Sequence, residues 1–217
     1  MRFSLVVFDL DGTLIDSAPD LRRALNEMLA EYGAGELSLP EVKSMVGEGA
    51  AQLVSRALAA RAVTVSDPQA ALRRFLQIYA ADPIAETQPY EGVMSVLQSL
   101  SERGLRLAIC TNKPISPTQE ILRRLDLGRH FMHVRGGDSQ PFRKPDSRML
   151  SEIISEAGVE PARCLMVGDS EIDAATAQAA GVAFALMTYG YRRGPARAMR
   201  CIAALERFEQ LLPLIED

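Results

Sequence analysis

Two carboxylates lie two residues apart where an apolar run ends in a glycine turn. Residues 6–14 read VVFDLDGTL, so that Asp9 and Asp11 are followed at once by Gly12. Side chains alternate along an extended chain, so both acids should point the same way, and Gly12 lets main-chain groups approach whatever they hold. Two converging acids repel each other unless a cation or substrate lies between them. If the pair stood alone, a simpler interpretation would be that one aspartate caps a helix and the other lies in a turn. The rest of the sequence decides between this structural role and a chemical one.

Three further polar clusters each follow an apolar, strand-like run. They occupy residues 111–113 (TNK), 144–146 (KPD) and 168–173 (GDSEID). Because parallel strands end at the same edge of a sheet, these clusters and the Asp9 turn should gather at one place. Any one of them could be a helix cap or a solvated charge, but four such coincidences at the ends of successive strands favour a single reactive site.

Short apolar runs alternate with amphipathic patterns over most of the chain. The predicted strands are residues 5–8, 105–110, 132–135, 164–167 and 182–186. The predicted helices are residues 91–102, 116–127, 146–157 and 171–180, and each is followed by a glycine of the kind that closes helices. This alternation predicts an α/β fold with a doubly wound parallel sheet, whose ligands bind beyond the carboxyl ends of the strands.

The interval between the Asp9 turn and residue 88 breaks this alternation. It contains four helical patterns and no convincing strand, and the patterns cover residues 21–31, 40–46, 50–60 and 68–81. We predict an α/β core made of residues 1–16 and 88–217, with a small helical cap domain inserted at residues 17–87. An insert that leaves the sheet at this edge can close over the site as a lid, or it can simply cover one sheet face.

Composition limits the classes of protein to consider. The 217 residues are 47% hydrophobic, which suits one large domain or a domain carrying an insert. With 24 basic and 28 acidic residues, the net charge of −4 gives no field that would favour nucleic acid or a membrane surface. The first apolar run ends at Asp9, too early for a signal peptide or a membrane span, and we expect a cytoplasmic protein. The three cysteines are expected to be buried thiols, and the chain a monomer or a homodimer.

The four clusters, in this order, resemble the haloacid dehalogenase (HAD) superfamily of phosphotransferases. The motif DLDGTLIDS at residues 9–17 is highly specific, and the resemblance spans nearly the whole chain. The helical insert resembles the small cap of one large branch of that superfamily, and the predicted core resembles its Rossmann-like sheet. Within the branch, residues 16–20, 46–50 and 188–191 resemble phosphoglycolate phosphatases.

The resemblance implies a role for each acid. Asp9 is expected to attack phosphorus and form an aspartyl-phosphate, which divides one hard hydrolysis into two easier displacements. Asp11 is expected to protonate the leaving alcohol and then to deprotonate the attacking water. Mg²⁺ is expected at Asp9, the main-chain carbonyl of Asp11 and Asp169, and Asp173 is expected to support that shell directly or through water.

The remaining motif residues are expected to stabilise charge on the phosphoryl group. The Thr111 hydroxyl and the Asn112 main-chain N–H are expected to bind its oxygens, and Lys144 to add positive charge near Asp9. Asp16 and Ser17 are expected to order the hinge and cap the first helix of the insert.

Substrate choice is expected to come from the cap. Gly47, Glu48 and Gly49 are the candidate specificity loop, because two glycines let the backbone approach a small ligand, although the same pattern can be only a turn. Four arginines could also bind a substrate carboxylate, although solvation is their commoner role; they are Arg56, Arg61, Arg192 and Arg193.

The predicted function is a Mg²⁺-dependent phosphatase of a small phosphorylated metabolite, with 2-phosphoglycolate as the first candidate. A sugar-phosphate phosphatase or a phosphoglucomutase-like phosphotransferase would keep the same acids and the same kind of cap. A phosphonate hydrolase would need a Schiff-base lysine, for which the insert offers only Lys43. From another class, a non-enzymatic receiver module also gathers acids, a Thr and a Lys at a sheet edge, but Asp11 and the large insert argue against it.

Overall fold

Six parallel strands form the central sheet of the protein, whose computed structural model describes residues 2–216. The strands, numbered along the chain, are β1 (Leu5–Phe8), β2 (Ile15–Asp16), β3 (Gln88–Pro89), β4 (Arg106–Cys110), β5 (His133–Arg135), β6 (Cys164–Gly168), β7 (Ala183–Met187) and β8 (Ala203–Leu205). The sheet has the order β5-β4-β1-β6-β7-β8, and β2 and β3 form a separate antiparallel pair. The predicted parallel α/β fold is confirmed.

Nine α-helices occur in residues 2–216. They are α1 (Ala18–Ala30), α2 (Leu39–Met45), α3 (Ala50–Ala60), α4 (Pro68–Ala81), α5 (Val93–Glu102), α6 (Ile115–Arg124), α7 (Arg148–Glu156), α8 (Glu171–Ala179) and α9 (Leu211–Glu216). Predicted strands agree with observed ones to within one residue at each end, and predicted helices to within three. None of these helices is both long enough and apolar enough to cross a membrane.

Strand β1 is continuously apolar because it is covered on both faces. It lies between β4 and β6, in parallel register with each. Val6 and Phe8 join the apolar cluster under α5, α6 and α9, whereas Leu5 and Val7 join the cluster under α7 and α8. Each such buried side chain contributes roughly 1.5–3 kcal/mol to folding. This burial fixes the end of β1 and with it the main-chain position of Asp9, the next residue.

Three short strands and the short helix α9 were not predicted, and one helix end was predicted wrongly. β2, β3 and β8 have only two or three residues each, too few for a period-two pattern to be recognised. Helix α6 was expected to run to residue 127 before a closing Gly128, but it ends at Arg124. Asp126 takes the left-handed conformation there, with φ of 55°, and the Leu127 N–H bonds to the Leu122 carbonyl. Aspartate tolerates this conformation better than most residues, so it closes the helix in place of glycine.

Helices α1 to α4, here called the helical segment, leave the core after β2 and return to it through β3. Asp20, in the first turn of α1, has no exposed surface and joins the outgoing and returning chains. Its Oδ2 accepts hydrogen bonds from the Thr87 hydroxyl (2.7 Å) and the main-chain N–H groups of Thr87 (2.8 Å) and Glu86 (3.0 Å). The returning chain is thereby held against the start of the helical segment.

Replacing Asp20 with alanine should destabilise the protein by roughly 2–4 kcal/mol, because it leaves the buried Thr87 N–H and the partly buried Glu86 N–H without this acceptor, and the Thr87 hydroxyl with only the Pro83 carbonyl. Urea denaturation measures the change. Asp67→Ala is the matched control, since the Asp67 carboxylate also accepts two main-chain N–H bonds but lies at the exposed start of α4. That change should cost about 1 kcal/mol. Equal losses for the two variants would contradict the role given to Asp20.

Candidate active site

The carboxyl ends of β1 and β6 bring three aspartates together. Asp9 directly follows β1, Asp169 directly follows β6, and Asp173 lies in the first turn of α8. One carboxylate oxygen of each lies within 4.8 Å of the others. Asp9 is 6% exposed, Asp169 is 2% exposed, and Asp173 is not exposed. The structure therefore concentrates three acidic groups in a buried space at the sheet edge.

Lys144 supplies positive charge inside this cluster. The loop after β5 carries it to the cluster, where its Nζ lies 2.8 Å from Asp9 Oδ1 and 2.6 Å from Asp173 Oδ1. Burial alone would lower the pKa of Lys144, but the neighbouring Asp173 and Asp9 carboxylates raise it above its ordinary value. Lys144 is therefore a charged ammonium at neutral pH, and it compensates one of three nearby negative charges.

The excess of negative charge contributes to raised pKa values of two of the acids. Burial, with repulsion from Asp173, raises the pKa of Asp9 to about 6 although Lys144 opposes the shift. Burial and the charges of Asp173 and Asp9 raise the pKa of Asp169 well above its ordinary value. Oxygen donors that are buried, convergent and short of positive charge fit a hard divalent cation.

Asp169 is held in place from several sides. Its Oδ1 accepts a hydrogen bond from the Thr13 hydroxyl (3.1 Å), and its Oδ2 accepts one from the Tyr191 N–H (2.5 Å). Glycines lie against this carboxylate, because a Cβ added at Gly12 or at Gly190 would overlap Asp169. The position of this acid thus depends on the absence of a side chain at Gly12 and at Gly190.

Asp173 is fully engaged by protein groups. Its Oδ2 accepts from the Ser170 hydroxyl (2.6 Å) and from the N–H groups of Ser170 (3.1 Å) and Asp169 (3.2 Å), which forms a capping box at the start of α8. Its Oδ1 contacts Lys144. Asp173 therefore fixes the lysine and the helix start at the same time.

Asp11 lies at the edge of the cluster with partners of its own. Lys113 Nζ lies 3.1 Å and 3.3 Å from its two oxygens, and the Ser17 hydroxyl donates to its Oδ1. The expectation that Ser17 caps α1 is wrong, since its side chain makes no capping hydrogen bond and turns toward Asp11. The partnership with Lys113 was not predicted, although Lys113 belongs to the polar cluster after β4.

Thr111 and Asn112 follow β4 and lie beside the acids. The Thr111 hydroxyl accepts from the Lys113 N–H (3.2 Å), and both residues are buried. The Asn112 amide donates to the Gly47 carbonyl and to the Lys144 carbonyl, at 2.9 Å each. One side chain thus connects the loop before α3 to the loop that carries Lys144.

The candidate specificity loop divides into two parts. Gly47 and Gly49, with φ of 117° and 87°, line the cleft above the acids. Glu48 does not line the cleft, because its carboxylate pairs with the guanidinium groups of Arg56 and Arg193. Arg193 also donates to the carbonyls at Ser44 (2.8 Å) and Val46 (3.1 Å), so it ties the loop after β7 to the helical segment.

The other candidate arginines are also engaged elsewhere. Arg61 pairs with Glu41 at 2.9 Å, and Arg192 donates to the Thr188 carbonyl. The arginines named from the sequence therefore do not line the cleft.

A cleft lies between the acids and the helical segment. Its floor is polar and comes from the ends of β1 and β4: Asp9, Asp11, Thr111, Asn112 and Lys113. Its walls are mostly apolar and include side chains of α1, α3 and α4: Leu21, Leu53, Phe75, Leu76 and Tyr79. A small ligand here would have its polar end at the sheet edge and its remainder under the helical segment.

Comparison with known families agrees with this geometry. The family model of haloacid dehalogenase-like hydrolases matches residues 6–187, a range that includes all four polar clusters. The chain belongs to this family. The predictions of the family and of an enzyme are thereby confirmed.

Relatives of this hydrolase share most of its length. A phosphoglycolate phosphatase of Rhodospirillum rubrum is 46% identical over 212 residues, covering 95% of this chain and 88% of the relative. Phosphoglycolate phosphatase 1 of Pseudomonas aeruginosa is 41% identical over 218 residues, covering 98% and 80%. A solved Haemophilus somnus structure, described as a predicted phosphoglycolate phosphatase, superposes with a TM-score of 0.95 at 30% identity, covering 99% and 98%. The resemblance to phosphoglycolate phosphatases is confirmed.

Replacing Gly190 with alanine should displace Asp169 and lower phosphatase activity on the order of 10²-fold, as misplacements of about 1 Å do. Hydrolysis of p-nitrophenyl phosphate and the melting temperature would both be measured. Gly35→Ala is the matched control, because a Cβ there meets no atom within 4 Å and the backbone is not left-handed. If Gly190→Ala retains the activity of Gly35→Ala, the close approach of Gly190 does not hold Asp169 in position.

Proposed function

We propose that this hydrolase is a Mg²⁺-dependent phosphatase of small phosphorylated metabolites, with 2-phosphoglycolate as its substrate. The observation that carries the proposal is the buried Asp9 in contact with Lys144, beside Asp169, on the floor of a cleft closed by the helical segment. The names of the relatives support the choice of substrate. A cytoplasmic location belongs to the same proposal.

Two acids share the bond-making steps. Asp9 attacks phosphorus and forms an aspartyl-phosphate, while the alcohol leaves with a proton from Asp11. Asp11 then takes a proton from a water molecule as that water attacks the same phosphorus, which releases inorganic phosphate and restores Asp9. The different surroundings of the two acids support this division of roles, because Asp9 belongs to the group formed with Asp169 and Asp173, whereas Asp11 lies outside that group and pairs with Lys113.

Asp9, Asp169 and the main-chain carbonyl of Asp11 are the groups that would hold Mg²⁺. The raised pKa of Asp9 and of Asp169 supports this donor set, since a nearby dication offsets the charge that burial penalises. When bound, Mg²⁺ supplies positive charge that offsets repulsion between a carboxylate nucleophile and a phosphate dianion. Asp173 holds Lys144 in position through its Oδ1, and it belongs to the same acidic group, so that it would support the metal shell directly or through water.

Thr111 and Asn112 bind the phosphoryl oxygens, through the hydroxyl of the first and the main-chain N–H of the second. Their burial at the end of β4 supports this role, because donors that are already fixed need no reorganisation as charge develops. Lys144 adds charge beside Asp9 in the same way.

The helical segment acts as the cap, with residues 17–87 as its proposed bounds. Hydrogen bonding of β2 to β3 at its two ends, and apolar walls over a polar floor, support a closing role. Closure excludes water while Asp9 attacks. Gly47 and Gly49 contribute to substrate choice by letting the backbone approach the ligand, and Glu48 contributes through the arginines that hold the loop.

Asp9→Asn should abolish phosphate release and leave the fold intact, because the amide removes the nucleophile and one member of a repulsive cluster. Phosphate release would be measured with 2-phosphoglycolate, hexose phosphates, amino-sugar phosphates and nucleoside monophosphates, with Mg²⁺ and after chelation. The metal-free variant should melt no lower than the wild type, since burial disfavours the charged Asp9. Asp67→Asn is the matched control, because asparagine caps α4 as well as aspartate does.

The wild type should release phosphate from 2-phosphoglycolate with the highest kcat/KM of the panel and only with Mg²⁺. Activity retained by purified Asp9→Asn would exclude Asp9 as the nucleophile. A phospho-Asp9 that accumulates without turnover would indicate a receiver module, and a hexose phosphate with a moved phosphoryl group would indicate a mutase.

A further inference from the structure

Lys113 is the one cationic side chain among the described residues that line the cleft. The remaining charged lining residues are Asp9 and Asp11, and most of the others are apolar. Lys113 is only 6% exposed, and its ammonium lies between the Asp11 carboxylate and the ring of Tyr79, 4.6 Å from the ring centroid. Tyr79 lies on α4, so this ammonium reaches from the sheet edge to the helical segment.

We propose that Lys113 binds the carboxylate of the substrate and thereby selects 2-phosphoglycolate. The inference rests on the proposed function and names the group that recognises the organic half of the ester.

The position of Asp11 places the carboxylate of the ester beside Lys113. To protonate the leaving oxygen, Asp11 must come within hydrogen-bond distance of it. In 2-phosphoglycolate a single methylene group separates that oxygen from the carboxylate. A group in contact with Asp11 is therefore in reach of the carboxylate, and Lys113 Nζ lies 3.1 Å from Asp11 Oδ1.

The negative charge of the substrate carboxylate requires a cation beside it in the cleft. A third carboxylate brought between Asp9, Asp11 and apolar walls is strongly disfavoured unless it is paired. The four arginines that the sequence offered as carboxylate ligands have other partners. Arg56 and Arg193 pair with Glu48. Arg61 pairs with Glu41, and Arg192 donates to the Thr188 carbonyl. Arg143 is exposed beside Gly49 and does not line the cleft.

The test compares two esters that differ only in the group Lys113 would bind. The wild type, Lys113→Gln and Lys113→Met would be assayed with 2-phosphoglycolate and with ethylene glycol monophosphate, in which a hydroxymethyl group replaces the carboxylate. Both variants should lose activity on both esters, since Lys113 also contacts Asp11. The ratio of the two kcat/KM values should fall by about tenfold to a hundredfold, mainly through KM for 2-phosphoglycolate, as expected for a lost charge-assisted hydrogen bond.

The matched control is Arg143→Gln, which removes a cation just outside the cleft and should keep the wild-type ratio. Equal losses on both esters would show that Lys113 only positions Asp11 and would overturn the inference. So would a changed ratio in Arg143→Gln alone. A wild type that does not prefer 2-phosphoglycolate would instead overturn the proposed function.

Wild-type protein offers a second test that does not depend on the folding of a variant. The carboxylate of 3-phosphooxypropionate lies one methylene group farther from the ester oxygen, beyond the position that Asp11 and Lys113 define together. Its kcat/KM should be about tenfold lower than that of 2-phosphoglycolate. Equal values would contradict recognition at Lys113.

Discussion

Confinement of one ammonium among three buried carboxylates is the constraint on which the site depends. Lys144 compensates part of the charge of Asp9, Asp169 and Asp173, and repulsion among the rest would drive these acids apart if they could move. The ends of β1 and β6 and the capping box of α8 prevent that movement. Folding energy from the apolar strands thus holds together charges that would otherwise separate.

Sequence reasoning succeeded where the information is local. Apolar runs and glycine-closed helices gave the strands and helices, and short motifs such as the one around Asp9 gave the clusters. It failed for contacts set only by packing. Lys113 meets Asp11 across 102 positions, and Tyr191 meets Asp169 across 22. No periodicity in the sequence predicts such contacts. The short strands β2, β3 and β8 form only through pairing with neighbouring strands, so they too have no recognisable pattern.

Tyr191 shows how the loop after β7 couples two parts of the molecule. Its N–H donates to Asp169, while its hydroxyl donates to Asp16 (2.6 Å) and accepts from the N–H groups of Ser17 (2.9 Å) and Ala18 (3.1 Å). A single buried residue therefore contacts both an acid of the cluster and the start of α1. The geometry of the acids and the entry angle of the helical segment depend on the same residue, the first through its main-chain N–H and the second through its hydroxyl.

The pairing of Ile15 with Pro89 and of Asp16 with Gln88 has a consequence for how such proteins can change in evolution. The two ends of the helical segment lie side by side, so the length of the chain between them does not change the position of either end. The helical segment is an insertion between two paired strands, and the entropic cost of closing such an insertion grows only slowly with its length. The strand order of the sheet therefore stays the same when the insertion is lengthened, shortened or exchanged. Evolution can replace the helices above the acids and keep the reactive centre beneath them.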